Sequence, residues 1–396
     1  MERDFIDRNN RIRNIKANYD LAHSCRKKGE LKKAEQLYIE NLECNRMLSI
    51  LLPGVFESNI IQMSYELADL YRSINHSKEA ESYYKEALKL SREMVVKKLL
   101  FPVANFPNYE PFVATICNDL GVLYWKINRF REAAESLQEA LEIRRKFAVK
   151  NPRLFLSKIA DTCNDIGGLY CKTNCYKEAE QCYQEALEIY QELSKRDNKK
   201  YEVKLAMAYN NLSIVYEETG YYELAEAGYQ KALEIRKRLA EENPREFASY
   251  LANTYHNLGV LNYVKNKDKE AEDYYQKALE IYESLETEEK GIYESDLAMT
   301  YANLGTLYKD EKQKKKAEIS YEKAWKLYQR LLEKNPEIYQ REIEKIQKNR
   351  KELEELEVLE ETKESKVIRK EKSRFLLRFI KKFIKKIKTL KNKKKF

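Results

Sequence analysis

Glycine and proline are scarce, 10 and 7 among 396 residues. Both residues interrupt helices, so their rarity beside 35% charged residues excludes a turn-rich β architecture and fits a nearly all-helical chain. Only His23, His76 and His256 supply imidazole, and each falls in a different part of the chain. No G-x-G-x-x-G, Walker A or H-E-x-x-H motif occurs, which removes the usual nucleotide-binding and zinc-protease signatures. Seven cysteines lack paired spacing, which points to a reducing, cytoplasmic compartment. The charged stretch Met1 to Lys16 lacks the apolar core of a signal peptide. No uncharged apolar run approaches the ~20 residues of a membrane-spanning helix.

What the chain does have is a period. Asp119-Leu120-Gly121, Asp165-Ile166-Gly167, Asn211-Leu212-Ser213, Asn257-Leu258-Gly259 and Asn303-Leu304-Gly305 recur every 46 residues. Twelve residues after each small residue stands an alanine (Ala133, Ala179, Ala225, Ala271, Ala317), and a second follows seven later. Leu67-Ala68 with Ala80 and Ala87 is an earlier copy displaced by seven extra residues. Leu21-Ala22 with Ala34 is another, in which Asn41 replaces the second alanine. A fixed period in this range predicts a solenoid whose units bury their apolar faces by stacking. Within one copy, Asn243-Pro244 opens a helix carrying Leu251, Tyr255, Leu258 and Leu261 at helical spacing. Asn266-Lys267-Asp268 forms a short turn, and a second helix runs from about Lys269 to Leu285. Gly259 and Ala271 are expected to let the two helices approach closely.

These residues resemble the tetratricopeptide repeat family. Its pattern reads here Tyr301, Leu304-Gly305, Tyr308, Ala317, Tyr321, Ala324, and again Tyr209, Leu212-Ser213, Tyr216, Ala225, Tyr229, Ala232. The long period is most similar to the subgroup that includes kinesin light chains. The resemblance implies a right-handed superhelical all-α solenoid of about seven helix pairs over residues 16–336. It also implies a non-catalytic scaffold whose concave groove, lined by the first helix of each pair, binds a peptide or helix.

Mapped onto this chain, the residue two before each small position makes a ladder: Asp20, Glu66, Asp119, Asp165, Asn211, Asn257 and Asn303. An asparagine amide both donates to a backbone carbonyl and accepts from an N–H, which suits peptide capture. The acidic rungs favour basic stretches of a ligand. Asn118, Asn164, Asn210 and His256, one residue earlier, are further groove candidates. The competing reading is that these side chains face solvent or satisfy their own helices. No basic pair suited to clamping a terminal carboxylate accompanies them. The cysteine group Cys163, Cys171, Cys175 and Cys182 lacks zinc-module spacing, and Cys117 and Cys163 take a core position held elsewhere by tyrosine. Neither a metal, a cofactor nor an enzyme activity is expected.

The ends differ from the array. A long connection, Leu99 to Phe112, holds three prolines and three phenylalanines and reads as a loop on the solenoid edge or a recognition loop. Residues 1–15 form an N-terminal segment, and residues 337–362 a capping helix. Residues 363–396 carry sixteen Lys or Arg against two acids, so the tail holds +14 and the rest of the chain −5. In the tail Phe375, Phe379 and Phe383 mark one helical face, with Arg378, Lys381, Lys382, Lys385 and Lys388 opposite. This is the form of a helix lying on an anionic membrane surface, making the protein cytoplasmic and peripheral to a membrane. The alternatives are nucleic-acid binding through phosphates, packing on the solenoid or a partner helix, a solvated terminus, and a tail that occludes the acidic rungs.

Overall fold

The computed structural model describes residues 2–52, 54–100, 107–334, 336 and 339–355, with side chains from residue 15 onward, Lys334 excepted. Among these residues every regular element is helical. The helices come in pairs: α1 (Glu2–Lys27) with α2 (Leu31–Leu51), α3 (Glu57–Ser73) with α4 (Ser77–Leu100), and α5 (Glu110–Lys126) with α6 (Phe130–Ala148). The series continues with α7 (Pro152–Lys172) and α8 (Tyr176–Arg196), α9 (Asn198–Glu218) and α10 (Tyr222–Glu242), α11 (Pro244–Val264) and α12 (Asp268–Glu288), and α13 (Glu294–Asp310) and α14 (Lys314–Lys334). The fold is an all-α solenoid of successive helix pairs. Helix α1 starts inside the stretch set apart above as an N-terminal segment.

Two compact units divide at Ala232 and Leu233. In the first, α1 to α9 pack in chain order, and α5 also meets α7 while α7 meets α9. In the second, α11 to α14 pack in order and α11 meets α13. First helices therefore touch first helices across repeats, from α5 through α7 to α9 in the first unit and from α11 to α13 in the second.

The turn inside each pair obeys the period. Gly29, Asn75, Asn128, Asn174, Gly220, Asn266 and Lys312 all have φ between 54° and 82°. A helix that must stop and reverse ends on a left-handed residue, which glycine adopts freely and asparagine tolerates. The next N–H then reaches back five residues, as in Cys175 N to Tyr170 O (2.8 Å) and Lys267 N to Asn262 O (2.9 Å). Lys312 is the copy with neither glycine nor asparagine.

The atoms nearest each glycine show what the close approach within a pair admits. A Cβ added to Gly259 would lie 2.6 Å from the Tyr275 ring, and one at Gly305 or Gly167 2.8 Å from Tyr321 or Tyr183. The ring of the tyrosine four residues after the first alanine packs against the glycine, and Ala271 beside it is wholly buried. Where Ser213 replaces glycine, Gly228 makes the room: a Cβ there would meet Ser213 Oγ at 2.1 Å. Tyr38, Tyr84, Tyr229, Tyr275 and Tyr321, which share this repeat position, are almost wholly buried. Each large aromatic removed from water contributes of the order of 2 kcal/mol.

Second helices are held in register by a recurring ion pair: Arg46 to Glu86 (2.5 Å), Arg92 to Glu139 (2.7 Å) and Arg145 to Glu185 (2.7 Å). These are exposed and each stabilises by at most about 1 kcal/mol. In the long connection, Tyr109 joins Ile61 and Met94 in a small buried cluster, and residues 101–106 lie outside the described residues. Beyond α14, residues 339–355 are helical, with Ile343, Ile346 and Leu353 buried. Lys309 reaches Glu352 at 3.0 Å and Arg350 reaches Glu322 at 3.0 Å. The basic tail lies outside the described residues.

Candidate functional site

The candidate rungs project from first helices, and the structure joins them in pairs 47 residues apart. Asn118 Nδ2 donates to Asp165 Oδ2 (2.9 Å), and Asn211 Nδ2 donates to Asn164 Oδ1 (2.9 Å). In the second unit Asn303 Nδ2 lies 3.4 Å from His256 Nε2. Asn118, Asn164 and His256, each one residue before a rung, thus meet the rung of the next repeat. Asp119 accepts from Tyr65 Oη at 2.7 Å. Asn210 is buried, and Asn257 is half-buried in α11. Asp20 is exposed and Glu66 buried, the latter accepting from Arg26 at 3.2 Å. The tail candidates Phe375, Phe379, Phe383, Arg378, Lys381, Lys382, Lys385 and Lys388 lie outside the described residues.

Burial sets the charge states. Removing a carboxylate from water disfavours its ionised form, so Asp165 is pushed up to about 6. The same cause raises Asp119, against the opposing Tyr65 hydrogen bond. His256 is driven down to about 4 and is neutral at pH 7. The Asn303 amide donates to Nε2, which leaves the proton on Nδ1 for Thr300 Oγ1 at 2.9 Å.

Two side chains escaped the sequence reading. Arg144 is buried, donating to Asn118 Oδ1 (2.8 Å) and the Lys158 carbonyl (2.9 Å), and it also contacts Thr162. Arg236 repeats this 92 residues later, donating to the Tyr250 carbonyl (2.9 Å) and Thr254 Oγ1 (2.6 Å). Burial holds the Arg236 guanidinium at about 10. The signal was available: Asn45, Ser91, Arg144, Tyr190, Arg236, Tyr282 and Tyr328 share one repeat position, and all are buried.

A cavity of roughly 410 Å³ opens between α5, α7 and α9. Trp125, Tyr176 and Tyr183 give it aromatic walls, and Asn164, Asp165 and Asn211 line it with polar groups. Gly168 creates the space, because its repeat position holds Val122, Ile214, Val260 and Thr306 in other copies. A Cβ at Gly168 would lie 3.3 Å from the Trp125 ring. Lys172 and Glu218 stand at its rim. A larger cavity, roughly 920 Å³, lies on the second-helix side between α4 and α6, with Leu88, Cys117 and Leu120 beneath Arg92 and Glu139.

The cysteines are free thiols. Burial pushes Cys117 up to about 12 and Cys182 up to about 11, which leaves both protonated and unreactive at neutral pH. Among the described residues no cluster of three His, Cys, Asp or Glu side chains is arranged to hold a metal ion. No described helix is long and apolar enough to cross a membrane.

Comparison with known proteins matches the chain to the tetratricopeptide repeat family at residues 61–94, 113–146, 159–238, 204–284 and 297–337. Together these spans cover more than half of the chain. No curated protein sequence matches it. Among solved structures it is similar to the apo form of RapI, with TM-score 0.59 and 15% identity over 81% of this chain and 99% of that one. Aspartyl phosphate phosphatase F from Bacillus subtilis gives TM-score 0.56 and 14% identity over 80% and 71%. A signal transduction ATPase with a tetratricopeptide repeat sensor from Pyrococcus horikoshii gives 0.55 and 18% over 82% and 44%. At such identities the likeness is one of fold alone.

Proposed function

The chain belongs to the tetratricopeptide repeat family, and from that premise we propose that it is a non-catalytic scaffold whose first-helix face binds an extended segment or helix of a partner protein. The observation that carries this reading is the cavity between α5, α7 and α9, which opens among paired amides and carboxylates rather than among surface lysines and glutamates. Asp119, Asp165, Asn211, Asn257 and Asn303, with Asn118, Asn164, Asn210 and His256, are the residues proposed to meet the ligand. Their cross-repeat hydrogen bonds hold the amides in fixed orientations, so little side-chain entropy remains to be lost on binding. The larger cavity on the second-helix side has walls of opposite charge already bridged by Arg92 and Glu139, which makes it the weaker candidate.

Selection from a random dodecapeptide library against the full chain tests the proposal. Selected peptides should bind at least tenfold more weakly to Asn211→Ala and Asp165→Ala, and equally well to Arg92→Ala on the opposite face. Loss with Arg92→Ala alone would move the site to the second helices.

The tail is proposed to dock the scaffold on an anionic membrane surface. Its support is the +14 charge of residues 363–396 set beside a row of phenylalanines. Full-length protein should co-sediment with anionic but not neutral vesicles, and Phe375→Ser, Phe379→Ser and Phe383→Ser together should abolish it. Binding that ignores lipid charge would contradict this part.

A further inference from the structure

We propose that the cavity between α5, α7 and α9 is a pocket for a single arginine side chain of the bound segment. This rests on the reading of the first-helix face as the binding surface and names what that surface selects. The space exists in this repeat because Gly168 replaces the valine, isoleucine or threonine of the other copies, as at Val122, Ile214 and Thr306. At roughly 410 Å³ it sits at the small end of ligand cavities, which run from roughly 300 to 1,000 Å³. That is room for one long side chain with its flanking backbone.

The lining selects the charge. Asp165 is half-buried, and among the described residues its carboxylate accepts one hydrogen bond, from Asn118 Nδ2. A carboxylate has about four acceptor sites, and covering the remaining ones with a ligand group that brings no donor is costly. Glu218 adds a second acceptor at the rim, where the Tyr176 hydroxyl donates to it at 3.3 Å. Lys172 and Glu218 are both exposed and their charges are screened by solvent, so the selection rests on Asp165. An aliphatic side chain would seal the Asp165 carboxylate away without a donor, and an acidic one would be repelled. A guanidinium supplies several donors in a plane, is weakly hydrated, and stacks on aromatic walls such as Trp125 and Tyr176 better than an ammonium does.

The test uses full-length Trp325→Phe protein, so that Trp125 is its one indole. Three pentapeptides, acetylated and amidated alanine with Arg, Leu or Glu at the centre, are titrated while Trp125 fluorescence is followed. The arginine peptide should bind at least tenfold more tightly than the other two. Asp165→Asn should cut that preference below threefold, and Gly168→Val, which restores the side chain of neighbouring repeats, should abolish the Trp125 response. Both variants are checked for a retained cooperative helical melt, and an Arg92→Ala control on the opposite face should bind like the parent. Equal affinity for the three peptides, or an arginine preference that survives Asp165→Asn, overturns the pocket. The library selection separates this from failure of the groove itself. Peptides captured without arginine enrichment overturn the pocket and leave the groove reading standing, whereas capture of no peptide overturns both.

Discussion

Both units withdraw polar side chains of their first helices from water, but the effect has opposite sign in the two. In Met1–Ala232 the rung Asp165 is raised to about 6 by loss of water, beside Asp161, Asp119 and Arg144. In Leu233–Phe396 it is His256, one residue before the rung Asn257, that is lowered to about 4 by the same loss and satisfied by Asn303 and Thr300. The first is a half-buried group with capacity to spare in a cavity, and the second a buried neutral group with both nitrogens engaged. A single backbone repeat therefore supports either a binding feature or a packed one, and the choice lies in side chains rather than in helix geometry.

The largest expected effect breaks the packing that both units share. Gly259→Val should destabilise the second unit by about 2–3 kcal/mol, because the added atoms meet the Tyr275 ring. Urea denaturation reads this as a lower midpoint, and an unchanged midpoint would remove the glycine–tyrosine contact from the account.

Next comes the carboxylate. The Asp165 pKa is raised on folding, so its favourable contribution is fully present below the unfolded value of 3.8 and is lost as pH rises through about 6. Asp165→Asn should therefore gain stability, roughly 1–3 kcal/mol at pH 7.5, with the gain fading towards pH 4. The Asn118 bond survives in the variant, since an asparagine oxygen still accepts. Thermal melts at both pH values check this, and a loss of stability at pH 7.5 would mean that Asp165 is there for folding rather than for a ligand.

His256 carries the opposite sign. Its folded pKa is depressed, so its contribution is present above the unfolded value of 6.5 and is lost as pH falls through about 4. His256→Gln should flatten that acid-side loss by roughly 1–3 kcal/mol. Hydrogen exchange of α11 and α13 at pH 7 and pH 5 gives the measurement. The smallest effect is at Lys312, where φ is 61° in a turn that other copies build with glycine or asparagine. Lys312→Gly should stabilise by about 0.5 kcal/mol, and Asn266→Gly by less.

The repeat was legible because its signals are local. Small residue, alanine and proline recur at fixed spacing, and each helix boundary depends on its own neighbours. The left-handed turn residues Asn75, Asn128, Asn174 and Asn266 were equally open to reading from the sequence. The pairing of Asn118 with Asp165 and of Asn164 with Asn211 was not, since a 47-residue offset depends on how one first helix is rotated against the next. The ladder had been read as facing a ligand, a solvent layer or its own helix, and a bond to the adjacent repeat was not among those choices. The cavity lay between the two cases. Gly168 was visible as a departure from Val122 and Ile214, but only the fold brings Trp125 and Tyr176 around the space it leaves.

Hydrogen exchange of the full-length chain, with and without a library-selected dodecapeptide, tests the central claim most directly. The account predicts new protection along α5, α7 and α9 and at the start of α8, strongest around Asp165 and Asn211, with α4 and α6 unchanged. Protection confined to α4 and α6, around the cavity beneath Arg92 and Glu139, would contradict it.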